Sequence, residues 1–181
     1  MALKPVIYKL NLNLSDLNRQ IYQDYQLTIA LHPSETIERM VARILAFALN
    51  ANEDLSFTKG LSSTDEPDLW QHSLDGQTLL WIELGEPSVD RIKKACRLAQ
   101  QVKIYCFNSK AGVWWQQERS KLERLEACCI QFPYEQIQAA SQLVSRSMKW
   151  YITLSDNQAS IHCDQGACEL QWQVLLGAAT Q

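Results

Sequence analysis

The alternation of apolar and polar positions divides the chain into a β opening, one long helix, and a series of strands and helices. From Val6 to Leu14 the even positions are apolar and most odd ones polar, the period of a strand buried on one face. Residues 25–31 alternate in the same way. Ser15-Asp16-Leu17-Asn18 between them has turn chemistry, so an antiparallel pair is expected, with His32-Pro33 ending the second strand. Ser34 is expected to cap a helix over 35–50, in which Ile37, Met40, Val41, Ile44, Leu45, Phe47, Ala48 and Leu49 form one broad apolar arc. Glu35, Arg39 and Arg43 fall opposite that arc, where solvation is expected. Glu38 falls inside it, above Leu45. A carboxylate there either rests at the core margin, favoured by the helix N-terminal dipole, or aims across the core edge.

The middle of the chain concentrates the candidate chemistry. A short strand over 55–60 ends in Gly60, and a polar loop over 62–67 carries Asp65 and Glu66. Asp68 stands apart, because Pro67 stiffens the approach and Leu69-Trp70 anchors the exit. Leu79 to Leu84, between Gly76 and Gly85, is apolar on both faces and reads as a strand in the middle of a sheet. Glu83 is its one ionisable residue, and a buried carboxylate is costly unless paired, protonated or metal-bound. Ser88 then suits the N-cap of a helix reaching Gln101, with Val89, Ile92, Ala95, Cys96, Leu98 and Ala99 on its apolar face. Lys93 and Arg97 face water. Arg91 and Lys94 flank the apolar face, where long stems cover apolar surface while their heads reach a nearby anion. The carboxyl end of a strand in an α/β sheet is also where ligand sites gather.

The remainder reads as a strand over 102–107 reached by a parallel crossover, a helix over 111–123 and a strand over 125–132. A helix over 134–148, strands over 150–154 and 159–163, and an edge strand over 170–176 complete the chain. The expected architecture is one mixed α/β domain over residues 1–181: a mixed central sheet flanked by helices, with an N-terminal β-hairpin.

Composition narrows the class. Hydrophobic residues make up 46% and charged ones 20% of the 181, ordinary for a globular protein. A net charge of −3 argues against a protein that coats nucleic acid indiscriminately. The N-terminus lacks the apolar core of a secretory leader, and no apolar run approaches the ~20 residues that span a bilayer. A cytoplasmic monomer with no membrane contact is therefore the expectation. The six cysteines read as reduced thiols; none has Cys-x-x-Cys spacing, and His162-Cys163 with Cys168 does not demand zinc.

Several local patterns together carry a family resemblance. They are His32-Pro33-Ser34-Glu35 with Arg39, Phe57-Thr58-Lys59-Gly60-Leu61, Glu66-Pro67-Asp68-Leu69-Trp70, Trp81-Ile82-Glu83-Leu84-Gly85, Arg91-Ile92-Lys93-Lys94-Ala95, and Asn108-Ser109 with Trp114-Trp115. In these the chain closely resembles the bacterial YaeQ family from its start to about residue 155, and through it the PD-(D/E)XK nuclease superfamily. The resemblance implies a nuclease-like core in which Asp68 and Glu83 hold Mg²⁺ or Mn²⁺ and Glu38 completes or orients the water shell. It implies metal-assisted phosphodiester hydrolysis of nucleic acid, with Arg91 on a neighbouring phosphate. The superfamily places a lysine two residues after the strand acid, where this chain has Gly85. Lys94, or second Lys93, would take that role from the following helix. The alternative implied is a nuclease-fold module that binds nucleic acid or a protein partner in a regulatory role without cutting.

Overall fold

The computed structural model describes residues 3–177. Along the chain come β1 (Val6–Asp16), β2 (Ile21–Leu31), α1 (Ile37–Asn50), β3 (Leu55–Phe57), a single 3₁₀ turn (Gly60–Ser62), β4 (Leu69–His72) and β5 (Thr78–Leu84). There follow α2 (Val89–Leu98), β6 (Ala99–Cys106), α3 (Ala111–Leu122), β7 (Ala127–Gln131), α4 (Tyr134–Ser141), β8 (Ser147–Ser155), β9 (Gln158–Cys163), β10 (Gly166–Gln171) and β11 (Gln173–Leu176). The fold is mixed α+β with two mixed sheets in place of the one expected: a five-stranded sheet ordered β10-β9-β8-β1-β2 and a six-stranded sheet ordered β11-β7-β6-β5-β4-β3.

The expected hairpin is present, but its strands run longer than the alternation indicated. Asp16 has the chemistry of a turn residue yet is the last residue of β1. Its carboxylate accepts the N–H groups of Asn18 and Arg19 and so closes the turn from the strand. The hairpin is not a free-standing appendage, because β1 also pairs in parallel with β8, Leu10 lying beside Met148 and Leu14 beside Ile152. That pairing shortens α4, expected to reach residue 148 but ending at Ser141. Met148, Trp150, Ile152 and Leu154 alternate with exposed or half-buried neighbours, the period of a strand, and the pleat overrides the helical reading. The stretch expected as one edge strand divides at buried Trp172 between β10 and β11, which belong to different sheets. β4 pairs with β3 and β5, but four residues are too few to show a period.

Between the sheets lies α1, with every residue from Met40 to Ala48 buried. Its cap is Thr36, not Ser34: the Thr36 side chain accepts the Arg39 N–H at 3.2 Å. One face of the six-stranded sheet (Leu80, Ile82, Leu84, Tyr105, Ile130) joins α1 and the inner face of the other sheet in one core. The opposite face (Trp81, Val102, Ile104, Cys129) packs with Ile92 of α2 and Leu122 of α3. With α1 buried from Met40 to Ala48, the stripe of Glu35, Arg39 and Arg43 does not face water as expected. These residues are instead paired inside the protein. Arg43, 3% exposed, binds both oxygens of Glu35 at 2.7 and 2.8 Å and the Ala30 carbonyl at 2.9 Å. Among the described residues no helix is long and apolar enough to cross a membrane.

Candidate functional site

Strand alternation gives the two faces of β5 different tasks. Leu80, Ile82 and Leu84 point toward α1, whereas Trp81 and Glu83 point toward α2. Trp81 and Glu83 are neighbours on one face, and the indole Nε1–H donates to Glu83 Oε1 at 2.8 Å. Arg91 reaches the same oxygen with Nε at 2.8 Å. It can do so because Ser88 caps α2, accepting the Arg91 N–H at 3.2 Å and directing the first turn of the helix at the end of β5. The rest of the Arg91 guanidinium binds the carbonyls of Thr64 at 2.7 Å and Glu66 at 2.8 Å, which ties the loop before β4 to the helix.

Asp68 arrives from the loop just before β4. Its N–H donates to the Ile82 carbonyl at 2.9 Å, and its side chain turns back to accept the Leu84 N–H at 2.8 Å. The second oxygen accepts Arg39 Nη2 from α1 at 2.6 Å. Asp68 is 2% exposed and Glu83 4%. Both acids line one groove of about 380 Å³, bordered also by Arg39, Arg91, Glu66 and Glu86. One arginine enters from each helix layer, and each holds one of the two buried acids.

The groove has an excess of negative charge. With all groups ionised, four carboxylates face two guanidiniums. Burial pushes the Glu83 carboxyl above its ordinary range; Trp81 and Arg91 pull against that, and the nearby Asp68 charge adds to it. Burial works against the Arg39 charge, but Asp68 and Glu35 outweigh it and the guanidinium is held more firmly protonated. Glu86 Oε2 accepts Asn108 Nδ2 at 2.6 Å, while its Oε1 is buried without a partner among the described residues. Gly85, between Glu83 and Glu86 in the chain, has φ +91°, which a side-chain-bearing residue adopts at a cost of about 1 kcal/mol or more. That conformation accounts for glycine at the place where the resemblance leads one to look for lysine.

Of the residues singled out in the sequence, Asp68, Glu83 and Arg91 are brought together. Glu38 is half-buried on α1, does not line the groove and has no hydrogen bond or ion pair among the described residues. Lys94 pairs with Asp65 at 3.1 Å and Lys93 with Asp90 at 3.7 Å, both with exposed side chains outside the groove lining. Asp65 adjoins Thr64 and Glu66, which line the groove, so Lys94 stands at its outer margin. Arg39, Glu86 and Asn108 were missed as site residues. A signal for Arg39 exists: Glu35, Arg39 and Arg43 recur every fourth residue on a helix otherwise apolar nearly all round, a spacing that links them in one stripe.

The Mg²⁺ implied by the resemblance fits this donor set. Glu83 Oε2 has no hydrogen bond among the described residues, Glu86 Oε1 is orphaned, and the charge excess suits a divalent cation. Mg²⁺ uses one or two carboxylates and keeps several waters. A closed protein cage is not offered: no group of three or more His, Cys, Asp or Glu stands in metal-holding arrangement among the described residues.

A family model for the YaeQ protein matches residues 1–172. The chain belongs to the YaeQ family. It is 40% identical to YaeQ of Escherichia coli (strain K12) over 185 aligned positions, covering 96% of this chain and 98% of that protein, and 40% identical to YaeQ of Salmonella typhi over 178. The crystal structure of YaeQ from Xanthomonas axonopodis pv. citri superposes with a TM-score of 0.93 at 33% identity, covering 96% of this chain and 99% of that one. YaeQ from Pseudomonas syringae gives 0.93 at 36%, with 97% and 98% covered. The YaeQ fold therefore extends well past residue 155, through the β8–β10 strands.

Proposed function

We propose that the groove is a divalent-metal site on a PD-(D/E)XK-like core and that it hydrolyses nucleic-acid phosphodiester bonds. The observation that carries this reading is the meeting of Asp68, at the entry to β4, and Glu83 of β5 in one groove with unbalanced negative charge. A groove of that sign repels a phosphate backbone unless a cation intervenes. Glu83 would hold the ion through its unpartnered oxygen, with Asp68 joining it once Arg39 yields and waters completing the shell. Bound Mg²⁺ would polarise the phosphate and activate a water. Arg91 would then be placed to meet a neighbouring phosphate and Lys94 to meet backbone charge at the groove margin.

A second reading is favoured by one specific observation. Both buried acids are held by arginines, and Lys94 is 57% exposed and paired outward with Asp65. A nuclease-like module that binds nucleic acid or a protein without cutting would have this appearance. The two readings separate on incubation of mixed DNA and RNA with Mg²⁺ or Mn²⁺, comparing the wild type with Glu83→Ala. Metal-dependent cutting that the variant loses supports hydrolysis. Retention of nucleic acid by both proteins with no cutting by either supports the module.

A further inference from the structure

A second cavity, of about 300 Å³, lies at the C-terminal end of α1 and plays no part in the groove. Lys103 and Tyr105 of β6 form its floor. Arg19, from the β1–β2 turn, forms one side, and Leu49, Ile130 and Trp172 supply an apolar wall. Lys103 is only 8% exposed. Its ammonium makes one hydrogen bond, to Asn50 Oδ1 at 2.7 Å, and has no carboxylate within ion-pair distance among the described residues. A buried ammonium with a single neutral partner is a costly arrangement.

The hydrogen-bonding inventory of the floor is one-sided. An ammonium has three N–H groups, so Lys103 has two unspent. The Tyr105 hydroxyl accepts from Asn50 Nδ2 at 2.7 Å, and its own hydrogen has no acceptor among the described residues. Arg19 spends three of five N–H groups, on Asp16 and on the carbonyls of Ala51 and Ala48, and keeps two. The buried acceptor carboxylate of the lining, Asp16, is already used, and Asn157, whose side-chain amide is unspent among the described residues, is exposed at the mouth. Asp16 is occupied by Arg19 and the turn N–H groups, and the α1 carboxyl end, about half a negative charge, is met by Arg19. Asp156 borders the mouth but is exposed, where water screens it.

We propose that this cavity binds a small organic anion, its carboxylate or phosphate on Lys103, Tyr105 and Arg19 and its compact apolar body against Trp172, Leu49 and Ile130. The volume is at the lower end for ligand sites, which excludes a nucleic-acid strand and suits a single small molecule. Burial, with a smaller push from Arg19, holds the Lys103 ammonium below the ordinary lysine range, and a bound anion would relieve that.

Calorimetry on the full chain tests this with benzoate and phenyl phosphate as probes and uncharged benzamide as control. At least one anion should bind in the millimolar range or tighter, and benzamide at least about tenfold more weakly. The tighter anion assigns the head group as carboxylate or phosphate. Lys103→Met should weaken binding about tenfold or more. Tyr105→Phe keeps the ring stack on Phe132 and removes only the hydroxyl, so it tests the site should Lys103→Met fail to fold. A several-fold loss is expected there. The proposal is overturned if neither anion binds at about 10 mM, if benzamide binds as well as benzoate, or if the folded variants bind like the wild type.

Discussion

At the N-terminal end of α1, Arg39 meets the carboxylates of Glu35 and Asp68; at the C-terminal end, Arg19 meets Asp16 and two backbone carbonyls, and Lys103, among the described residues, meets only the amide of Asn50. The first region has more acids than cations, and the second has donors left over. The same buried helix thus separates a groove suited to a cation from a cavity suited to an anion. Charge at each end is balanced by residues far along the chain, since α1 has no basic residue in its own last turn. Burial makes the two regions unequal in another way. Losing a charged partner strands a full charge, whereas losing an amide strands hydrogen bonds.

That difference can be broken by mutation. Asp68→Ala should have the largest effect, a loss of about 3 kcal/mol in urea unfolding, because Arg39 keeps only Glu35 and the Leu84 N–H loses its acceptor. Asp68→Asn should lose less, since one acceptor remains. Asn50→Ala should cost about 2 kcal/mol, the loss of a neutral partner to Lys103 and Tyr105. If Asn50→Ala proves the more damaging of the two, the ranking of the two ends is wrong.

The pH dependence sharpens the comparison. Because burial raises the Glu83 carboxyl, its contribution to stability is fullest below its unfolded value of 4.5 and declines as pH rises through the folded value. Glu83→Gln has no such titration. The stability of the wild type minus that of Glu83→Gln should therefore fall as pH rises above about 4.5, as urea midpoints at several pH values would show; a rising difference contradicts the assignment. The smallest effect belongs to Lys94→Ala. An exposed pair with Asp65 contributes at most about 0.5 kcal/mol, so melting should barely change. Any larger consequence of that substitution should appear in nucleic-acid cleavage, which would favour the first functional reading over the second.

The hairpin, the strand carrying Glu83 and the helix capped by Ser88 were legible because each leaves a local mark: alternation, an apolar run, or a cap; the meeting of Asp68 with Glu83 was expected only through the family resemblance. The stripe Glu35, Arg39 and Arg43 was misread for the same reason. On a single helix, charges opposite an apolar arc look solvated, and nothing local says that a second layer will cover them. Glu86 was passed over because an acid after Gly85 looks like loop polarity. Its orphaned oxygen exists only where Asn108 and the groove wall close around it.

By itself the sequence determined the period of each longer element, the mixed α+β class and the family, since these depend on side-chain order over a few residues or on shared patterns. Tertiary structure alone decided that β1 would join β8, that α4 would stop short, and that α1 would be enclosed between two sheets. It also decided which cations are spent and which are left over. Pairing of distant groups depends on burial, and burial is set by what packs against an element rather than by the element's own residues.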